Sequence, residues 1–322
     1  MAVVALVGHG VVGRRIERRL PHLCGDVDVV VVDTRRPSHA SATFDRCAVA
    51  VLALPGPHAP LARDLLDRGV HVVSIGDGFD DVAELVDLHD LAVGAGGSLA
   101  VGAGMCPGLS GLLVRHLADE LASIDEIHIA LHGTAGPACA RQHHQALAGR
   151  AVGLHDGDWI RRPAGSGREL CWFPEPVGAY DCYRGELPSP LLLREVFPEV
   201  MRMSARVSAN RRDRLTAWLP MMSRPHREGG VGALRIEVRG TDHRGGRTTL
   251  IAGIAELVGT AAAATASAFT QLALAGGLPP GVVRAGDARL DTDSLLRAVE
   301  RGGVRLQEFT GVPHQPGQDA AA

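Results

Sequence analysis

Short apolar runs alternate with amphipathic segments along the first third of the chain. The runs are brief, continuous and rich in β-branched residues, so they predict buried strands at 3–8, 27–33, 47–55, 70–77 and 98–104. The segments between them carry apolar residues on one stripe and charged residues on the other, which predicts helices at 11–20, 58–69, 80–97 and 107–121. Pro21 is expected to end the first helix and Pro107 to lie in the first turn of the last. Such alternation indicates right-handed crossovers and a parallel sheet.

The pattern changes after residue 121. Residues 124–133 alternate as a strand with one wet or ligand-facing side, and 136–149 predict a helix. "DGDW" predicts a turn between two strands, and alternation returns at 202–210 and 233–254 with a glycine-rich hairpin signal at 240–246. An Ala-rich helix is expected from about 253 to 275, a short helix at 291–301 and a last short strand at 304–309. This second part is therefore predicted to be α+β, on an antiparallel or mixed sheet.

Three glycines, Gly8, Gly10 and Gly13, connect the first predicted strand to the first predicted helix. This spacing is typical of a dinucleotide site, where the first glycine permits a tight turn, the second leaves room for the pyrophosphate and the third lets helix and strand approach closely. An ordinary glycine turn is the alternative for the motif alone. Asp33 ends the second strand about 20 residues later, where a ribose-binding carboxylate is expected, and this context favours the dinucleotide interpretation.

Thr34, Arg35 and Arg36 follow Asp33 directly. A carboxylate that accepts hydrogen bonds from ribose favours NAD, whereas paired arginines attract the 2′-phosphate of NADP. Ligands of an open parallel sheet lie beyond the carboxyl ends of its strands, so the loops at 54–58, 74–78 and 102–108 are expected to contribute as well. The predicted cofactor-binding residues are Gly8, His9, Gly10, Val11, Val12, Gly13, Asp33, Thr34, Arg35, Arg36, Leu54, Pro55, Gly104 and Met105.

The stretches "LALPGPHAPLARDLLDRGVHVVSIGD" and "GAGMCPGLS" carry a family pattern. The chain resembles the saccharopine dehydrogenase group, whose members make or break a secondary amine between an amino acid and a carbonyl compound. The resemblance continues weakly through "FPEPVGAYDCYRGE" and "RIEVRGTDHRGG" to "GGLPPGVV". It implies an α/β protein with a Rossmann-type domain at 1–121, an α+β substrate and dimerisation domain at 122–250, and a helical segment at 251–322 that returns to the first domain. Together with the two arginines it favours NADP, with NAD possible.

Two features depart from that family. The segment between Asp33 and Cys47 is short, so a third Rossmann strand is expected to be vestigial. The chain contains no lysine, which excludes a lysine acid or base and a Schiff-base lysine.

Histidines near the predicted domain boundary are the candidate proton donors. His132, His143 and Tyr180 are the predicted catalytic residues, Tyr180 because the resemblance places it near the domain interface. Cys106, Pro107, Arg141 and His144 are predicted to contact the substrate; Arg141 would pair with a carboxylate. His143 and His144 are adjacent, so they point roughly 100° apart on a helix and only one is expected to face the pocket. Structural histidines and a packing role for Cys106 are the alternatives.

Composition limits the binding partners that we expect. The formal charge is −3 and the pI about 6.6, so neither nucleic acid nor an anionic membrane is an expected partner. The six cysteines form no C-x-x-C pair, so no metal site is expected. We expect a cytoplasmic protein, because the sequence shows no signal-like N-terminus and no apolar run of bilayer length. A homodimer is also expected. The predicted function is an NAD(P)-dependent oxidoreductase acting on a C=N or CH–NH carbon of a small substrate that carries carboxylate and amine. The alternatives are an amino-acid or 3-hydroxy-acid dehydrogenase and a non-catalytic NAD(P)-binding protein.

Overall fold

A computed structural model describes residues 2–222 and 224–309, and it places them around two sheets. The first sheet has six parallel strands: β1 (Ala2–Val7), β2 (Val27–Val32), β3 (Val49–Leu52), β4 (His71–Ser74), β5 (Ser98–Val101) and β14 (Gly281–Arg284). Their order across the sheet is β14-β5-β4-β3-β1-β2. The helices of this half are α1 (Val11–Cys24), α2 (Pro37–Phe44), α3 (Ala59–Asp67), α4 (Phe79–Val86), α5 (His89–Gly94) and α6 (Leu109–Ala118).

Both faces of the first sheet are buried, which explains the continuous apolar runs. Val4 and Leu6 of β1 pack in one hydrophobic cluster, while Ala5 and Val7 of the same strand pack in another. Helices α3, α4 and α5 cover the second cluster. Period-two alternation would expose one of these faces, so an unbroken run of apolar residues is what this position in the fold requires.

The second sheet has nine strands and is mixed. Its strands are β6 (Ser123–His132), β7 (Arg150–His155), β8 (Asp158–Pro163), β9 (Glu169–Phe173), β10 (Gly178–Arg184), β11 (Arg202–Ser208), β12 (Val231–Thr241), β13 (Arg247–Leu257) and β15 (Gln307–Glu308). β6 and β11 run parallel, and the other pairs are antiparallel. The remaining helices are α7 (Pro137–Gln145), α8 (Ser189–Val196), α9 (Arg211–Leu215), α10 (Val258–Leu274) and α11 (Thr292–Arg301).

The predicted α/β class is confirmed, including the return of the C-terminal segment to the first domain. Helix α10 packs along α1, and β14 then pairs with β5 to complete the first sheet. Phe269 of α10 is 1% exposed, in a cluster that also holds Leu6 of the first sheet and Ile129 of the second. One continuous core therefore joins the two sheets. Within the described residues β2 is the edge strand, so no third strand lies beyond it, and α2 occupies the shortened segment instead.

Two proline predictions are wrong. Pro21 lies inside α1, which continues to Cys24 and ends at Gly25, where a positive φ of 68° lets the Gly25 N–H bond to the Pro21 carbonyl. Pro107 precedes α6 rather than lying in its first turn. Its carbonyl accepts the Gly104 N–H at 3.1 Å, so it belongs to the turn before the helix.

Two boundaries also differ from expectation. The predicted helix at 80–97 is divided into α4 and α5, with the buried Leu88 between them. Residues 253–257 are strand rather than helix, because β13 stays in register with β12 as far as the pair Val231–Leu257. The domain boundary expected after residue 250 therefore falls inside β13.

Where the structure describes the chain, none of its helices combines the length and the apolar character that crossing a bilayer requires.

Candidate functional site

The glycine turn between β1 and α1 is crowded on two sides and open on a third. Gly8 has a φ of 101°, and a Cβ there would lie 2.5 Å from the backbone of Ala53 and Leu54. A Cβ on Gly13 would overlap the Gly8 carbonyl oxygen. Gly10 has an ordinary φ of −80°, and no atom beyond Gly10 and its two chain neighbours lies within 4 Å of the position that a Cβ would take. Contacts within the protein explain why Gly8 and Gly13 carry no side chain, whereas Gly10 faces empty space.

That space is a cleft of about 1160 Å³ at the carboxyl ends of the first sheet's strands. The start of α1 and the loops after β3, β4 and β5 form one wall, and α7 forms the opposite wall. Its volume exceeds the roughly 300–1,000 Å³ typical of small-molecule pockets, so it has room for a dinucleotide and a second molecule. At its rim Glu228 accepts a 2.9 Å hydrogen bond from Arg15, which ties the loop after α9 to α1.

Asp33 and Arg35 form an exposed fork at the end of β2. Arg35 donates from Nε and Nη2 to the two carboxylate oxygens at 2.8 and 3.0 Å. These hydrogen bonds, together with one from the Arg35 backbone, hold the pKa of Asp33 below its usual value. Arg36 and Thr34 are exposed beside them. The residues at 33–36 lie outside the cleft lining, as does His9, which bonds to Glu17 at 2.7 Å.

A buried hydrogen-bond chain that sequence reasoning missed fixes the loops after β3 and β4. His58 is 1% exposed; its Nε2 donates to the Leu54 carbonyl at 2.9 Å, and its Nδ1 accepts from the Ser74 hydroxyl at 2.8 Å. Ser74 in turn accepts the Gly76 N–H at 3.1 Å. Burial lowers the pKa of His58, which keeps the ring neutral in this one tautomer. These hydrogen bonds therefore connect the loop that contains Leu54 and Pro55 to the loop after β4.

Gly104, Met105, Cys106 and Pro107 all line the cleft at the loop after β5, which we call its inner end. The Cys106 thiol lies 3.4 Å from the Ser189 hydroxyl, and burial raises its pKa. A thiol rather than a thiolate results, which favours the packing role over nucleophilic chemistry.

Asp77 is the principal site residue that sequence reasoning missed. It follows β4 and lines the cleft, and its charge contributes to the raised pKa values of the Cys106 and Cys139 thiols. Burial, with a smaller effect from the Asp81 charge, raises the pKa of Asp77 to about 6. Its position at the carboxyl end of a buried strand is a signal that was available in the sequence.

Helix α7 brings Arg141 and His143 to the opposite wall of the cleft. Burial, and to a lesser extent the neighbouring His132, lowers the pKa of His143 to about 4. Its Nε2 is buried without a hydrogen-bond partner among the described residues. The ring is thus neutral at physiological pH, and Nε2 can exchange a proton with a bound molecule.

His132, Tyr180 and His144 line a second cavity of about 690 Å³ instead of the main cleft. His132 Nδ1 lies 2.8 Å from the Ser208 hydroxyl, and its ring centroid lies 4.0 Å from that of Tyr180. Burial lowers the pKa of His132. His144 Nε2 donates to the carbonyls of Thr216 and Leu219. Of the adjacent pair only His143 lines the main cleft, but both His143 and His144 line the second cavity, which the expected 100° separation did not allow.

These features define a class of fold: a six-stranded parallel sheet with a glycine turn at its first crossover, joined to a mixed-sheet domain across a cleft. The fold is similar to apo saccharopine dehydrogenase (L-Glu forming) from Saccharomyces cerevisiae, with a TM-score of 0.68 and 14% identity over 96% of this chain and 99% of the other. It is also similar to a meso-DAPDH mutant from Clostridium tetani E88, with a TM-score of 0.50 and 12% identity over 92% and 96% of the two chains. An engineered D-amino acid dehydrogenase bound to NADP+ gives a TM-score of 0.51 and 16% identity over 91% and 95%. No protein-family model and no curated protein matches the sequence.

Gly10 and Gly13 provide a matched test of the glycine turn. Gly10→Ala places a methyl group in the open cleft, so it should leave the fold intact and weaken NADPH binding about tenfold or more. Gly13→Ala meets the Gly8 carbonyl and should cost about 1–3 kcal/mol of stability. NADPH fluorescence titration and urea denaturation measure the two effects. Unchanged NADPH affinity in a folded Gly10→Ala protein would contradict the nucleotide assignment.

Asp77 should make stability depend on pH. Because its folded pKa of about 6 lies above its usual value, its contribution is favourable at low pH and is lost as pH rises through about 6. Asp77→Asn should therefore raise the free energy of unfolding by on the order of 1–2 kcal/mol at about pH 8, allowing for partial exposure, and have little effect at about pH 4. Asp67→Asn, an exposed carboxylate at the end of α3, is the control. Equal effects of Asp77→Asn at both pH values would disprove the raised pKa.

Proposed function

We propose that this protein is an NAD(P)-dependent oxidoreductase that transfers hydride between the nicotinamide and the carbon of a C–N bond. The observation that carries the proposal is the open side of Gly10, which faces a cleft of dinucleotide size while Gly8 and Gly13 are closed by backbone. The similarity in fold to amino-acid dehydrogenases supports the general class. A glycine turn that served only to connect strand and helix would not need a side-chain-free position facing the cleft.

The chain's own residues suit this cofactor. The first turn of α1 has no acidic residue, so its free N–H groups and the positive end of its dipole are available to a diphosphate. The His58–Ser74 chain holds the middle of the cleft rigid, and the turn at 104–108 closes its inner end. When bound there, the cofactor supplies the hydride chemistry, and the protein supplies orientation and proton placement.

Two ionisable groups of the cleft, a histidine and a carboxyl group, would interact with the substrate nitrogen and its proton. His143 is neutral and its Nε2 has no partner among the described residues, so it can hold the substrate nitrogen by a hydrogen bond. Asp77 approaches the same cleft from the other wall, and its pKa of about 6 lets it exchange a proton near neutrality. His132 and Tyr180 lie in the second cavity, so they are proposed to contact the substrate rather than the nicotinamide.

The charges around the inner cleft favour an amine substrate with a carboxylate. Asp77, Asp80 and Glu84 lie on the wall formed by the first domain, where they attract an ammonium or iminium cation. Arg141 lies on the α7 wall, where it can pair with a carboxylate. A 3-hydroxy-acid substrate would use the arginine but would gain nothing from three carboxylates, and for that reason we favour the C–N reaction.

Cofactor choice depends on Arg35, and we propose NADP(H). Arg35 already neutralises Asp33, so a 2′-phosphate would meet guanidinium groups rather than a free carboxylate. Arg35→Ala should weaken NADPH binding about tenfold and leave NADH binding unchanged or tighter. Fluorescence titration with both nucleotides measures this, with the exposed Arg46→Ala as control. A parallel loss for both nucleotides would show that Arg35 does not select between them.

Turnover tests the function itself. The wild-type protein should consume NADPH when given mixtures of an amino acid and a carbonyl compound, and Asp77→Asn and His143→Gln should each lower kcat by about 10²-fold or more with little change in NADPH affinity. Asp67→Asn should leave both quantities unchanged. Consumption with keto or hydroxy acids alone would favour the alternative dehydrogenase. NADPH binding without consumption in any mixture would favour a non-catalytic protein.

A further inference from the structure

The two cavities meet at α7 and the end of β6. His143 and Gly133 line both the main cleft and the second cavity, so the two spaces adjoin at these residues. We propose that the second cavity binds one arm of an extended secondary-amine substrate, and that this arm is uncharged with an aromatic or branched apolar end. The inference rests on the proposed C–N chemistry and adds the class of substrate.

The walls of the second cavity suit a flat apolar group. The His132 and Tyr180 rings lie 4.0 Å apart by centroid with an interplanar angle of 39°, and they form one aromatic surface. Leu170 and Met221 add apolar surface. Tyr180 is 43% exposed and Leu170 56% exposed, so both present side-chain surface that a ligand in this cavity can cover. A phenyl or branched alkyl group would remove this surface from water.

The arginine that lines the second cavity is already paired, since Arg168 Nε lies 2.9 Å from Asp181. Asp213 accepts a 2.7 Å hydrogen bond from the neutral Asn210 amide, and its carboxylate would repel a second one. Burial lowers the pKa of both His132 and His143, so neither ring offers a positive charge near neutral pH. Within residues 2–222 and 224–309, the cavity thus presents no lysine and no unpaired arginine. A carboxylate-bearing arm would lose its hydration there without gaining a partner.

His143 marks the point where the substrate nitrogen would lie. Its Nε2 is buried and has no partner among the described residues, although buried polar atoms are normally satisfied. An amine nitrogen at the junction would supply that partner. The same placement directs one substituent into the cleft, toward Arg141 and the inner loop, and the other into the second cavity.

Two probes that differ in one arm test the proposal on the full-length protein saturated with NADPH. N-benzylglycine and iminodiacetate share the glycine arm, whereas the other arm is aromatic in the first and a carboxylate in the second. Isothermal titration should show that N-benzylglycine binds about tenfold more tightly or better. Iminodiacetate binding as tightly as N-benzylglycine, or no detectable binding of either probe, would overturn the proposal.

Variants of the second cavity test whether the apolar arm of the ligand binds there. Ala179 lines the second cavity, and Ala179→Phe should remove the advantage of N-benzylglycine while leaving the affinities for iminodiacetate and NADPH unchanged. Leu170→Ala, at an exposed position, should reduce the same advantage severalfold. It provides a second test in case the larger Ala179→Phe substitution disturbs folding. Ala95→Phe, at an exposed position after α5, is the control for added bulk. An undiminished benzyl preference in both cavity variants would place the arm elsewhere.

The NADPH titration separates this inference from the function on which it rests. Wild-type protein that binds no NADPH would remove the proposed oxidoreductase function and the inference together. Wild-type protein that binds NADPH but shows no benzyl preference would remove the inference alone.

Discussion

Close backbone contact at the first turn fixes the cleft at the carboxyl ends of the first sheet's strands. Gly13 packs against the Gly8 carbonyl, and Gly8 packs against the end of β3, so α1 begins directly over the sheet edge. No side chain larger than hydrogen fits at either contact. The positive end of the α1 dipole is thereby fixed at the carboxyl ends of β1 and β3, and the loops after β3 and β4 can be tied to each other through His58 and Ser74.

Helix α10 extends this constraint to the second domain. It packs along α1 on one side and contacts β12 and β13 on the other, and its alanines let these elements approach closely. The core cluster is continuous from β1 through α6 and α10 to β6, so the cleft is built across one core rather than between two independent ones. The part of the cleft that is lined by α7 and the loop after β5 therefore has a defined shape without a ligand.

Local patterns were enough to predict much of the fold. The buried strands, the glycine turn and the "DGDW" hairpin follow from periodicity and residue type; Asp156 and Gly157 have the positive φ values that such a two-residue turn requires. The predictions for Pro21 and for the start of α10 were wrong, the second because strand pairing decided it. Residues 253–257 belong to β13 through their register with β12, although their own composition favours helix.

The site was less predictable than the fold, because burial rather than residue type determines its chemistry. Fifteen histidines look alike in the sequence, yet desolvation makes His143 a neutral base at a junction, and His58 a structural link. Asp77 resembles other carboxylates of its segment, and only the enclosed loop raises its pKa to about 6. The same desolvation acts in opposite directions on the two groups, since it disfavours the charged form of each. An acid and a base that are both mostly uncharged at slightly acidic pH can therefore line one cleft without forming an ion pair.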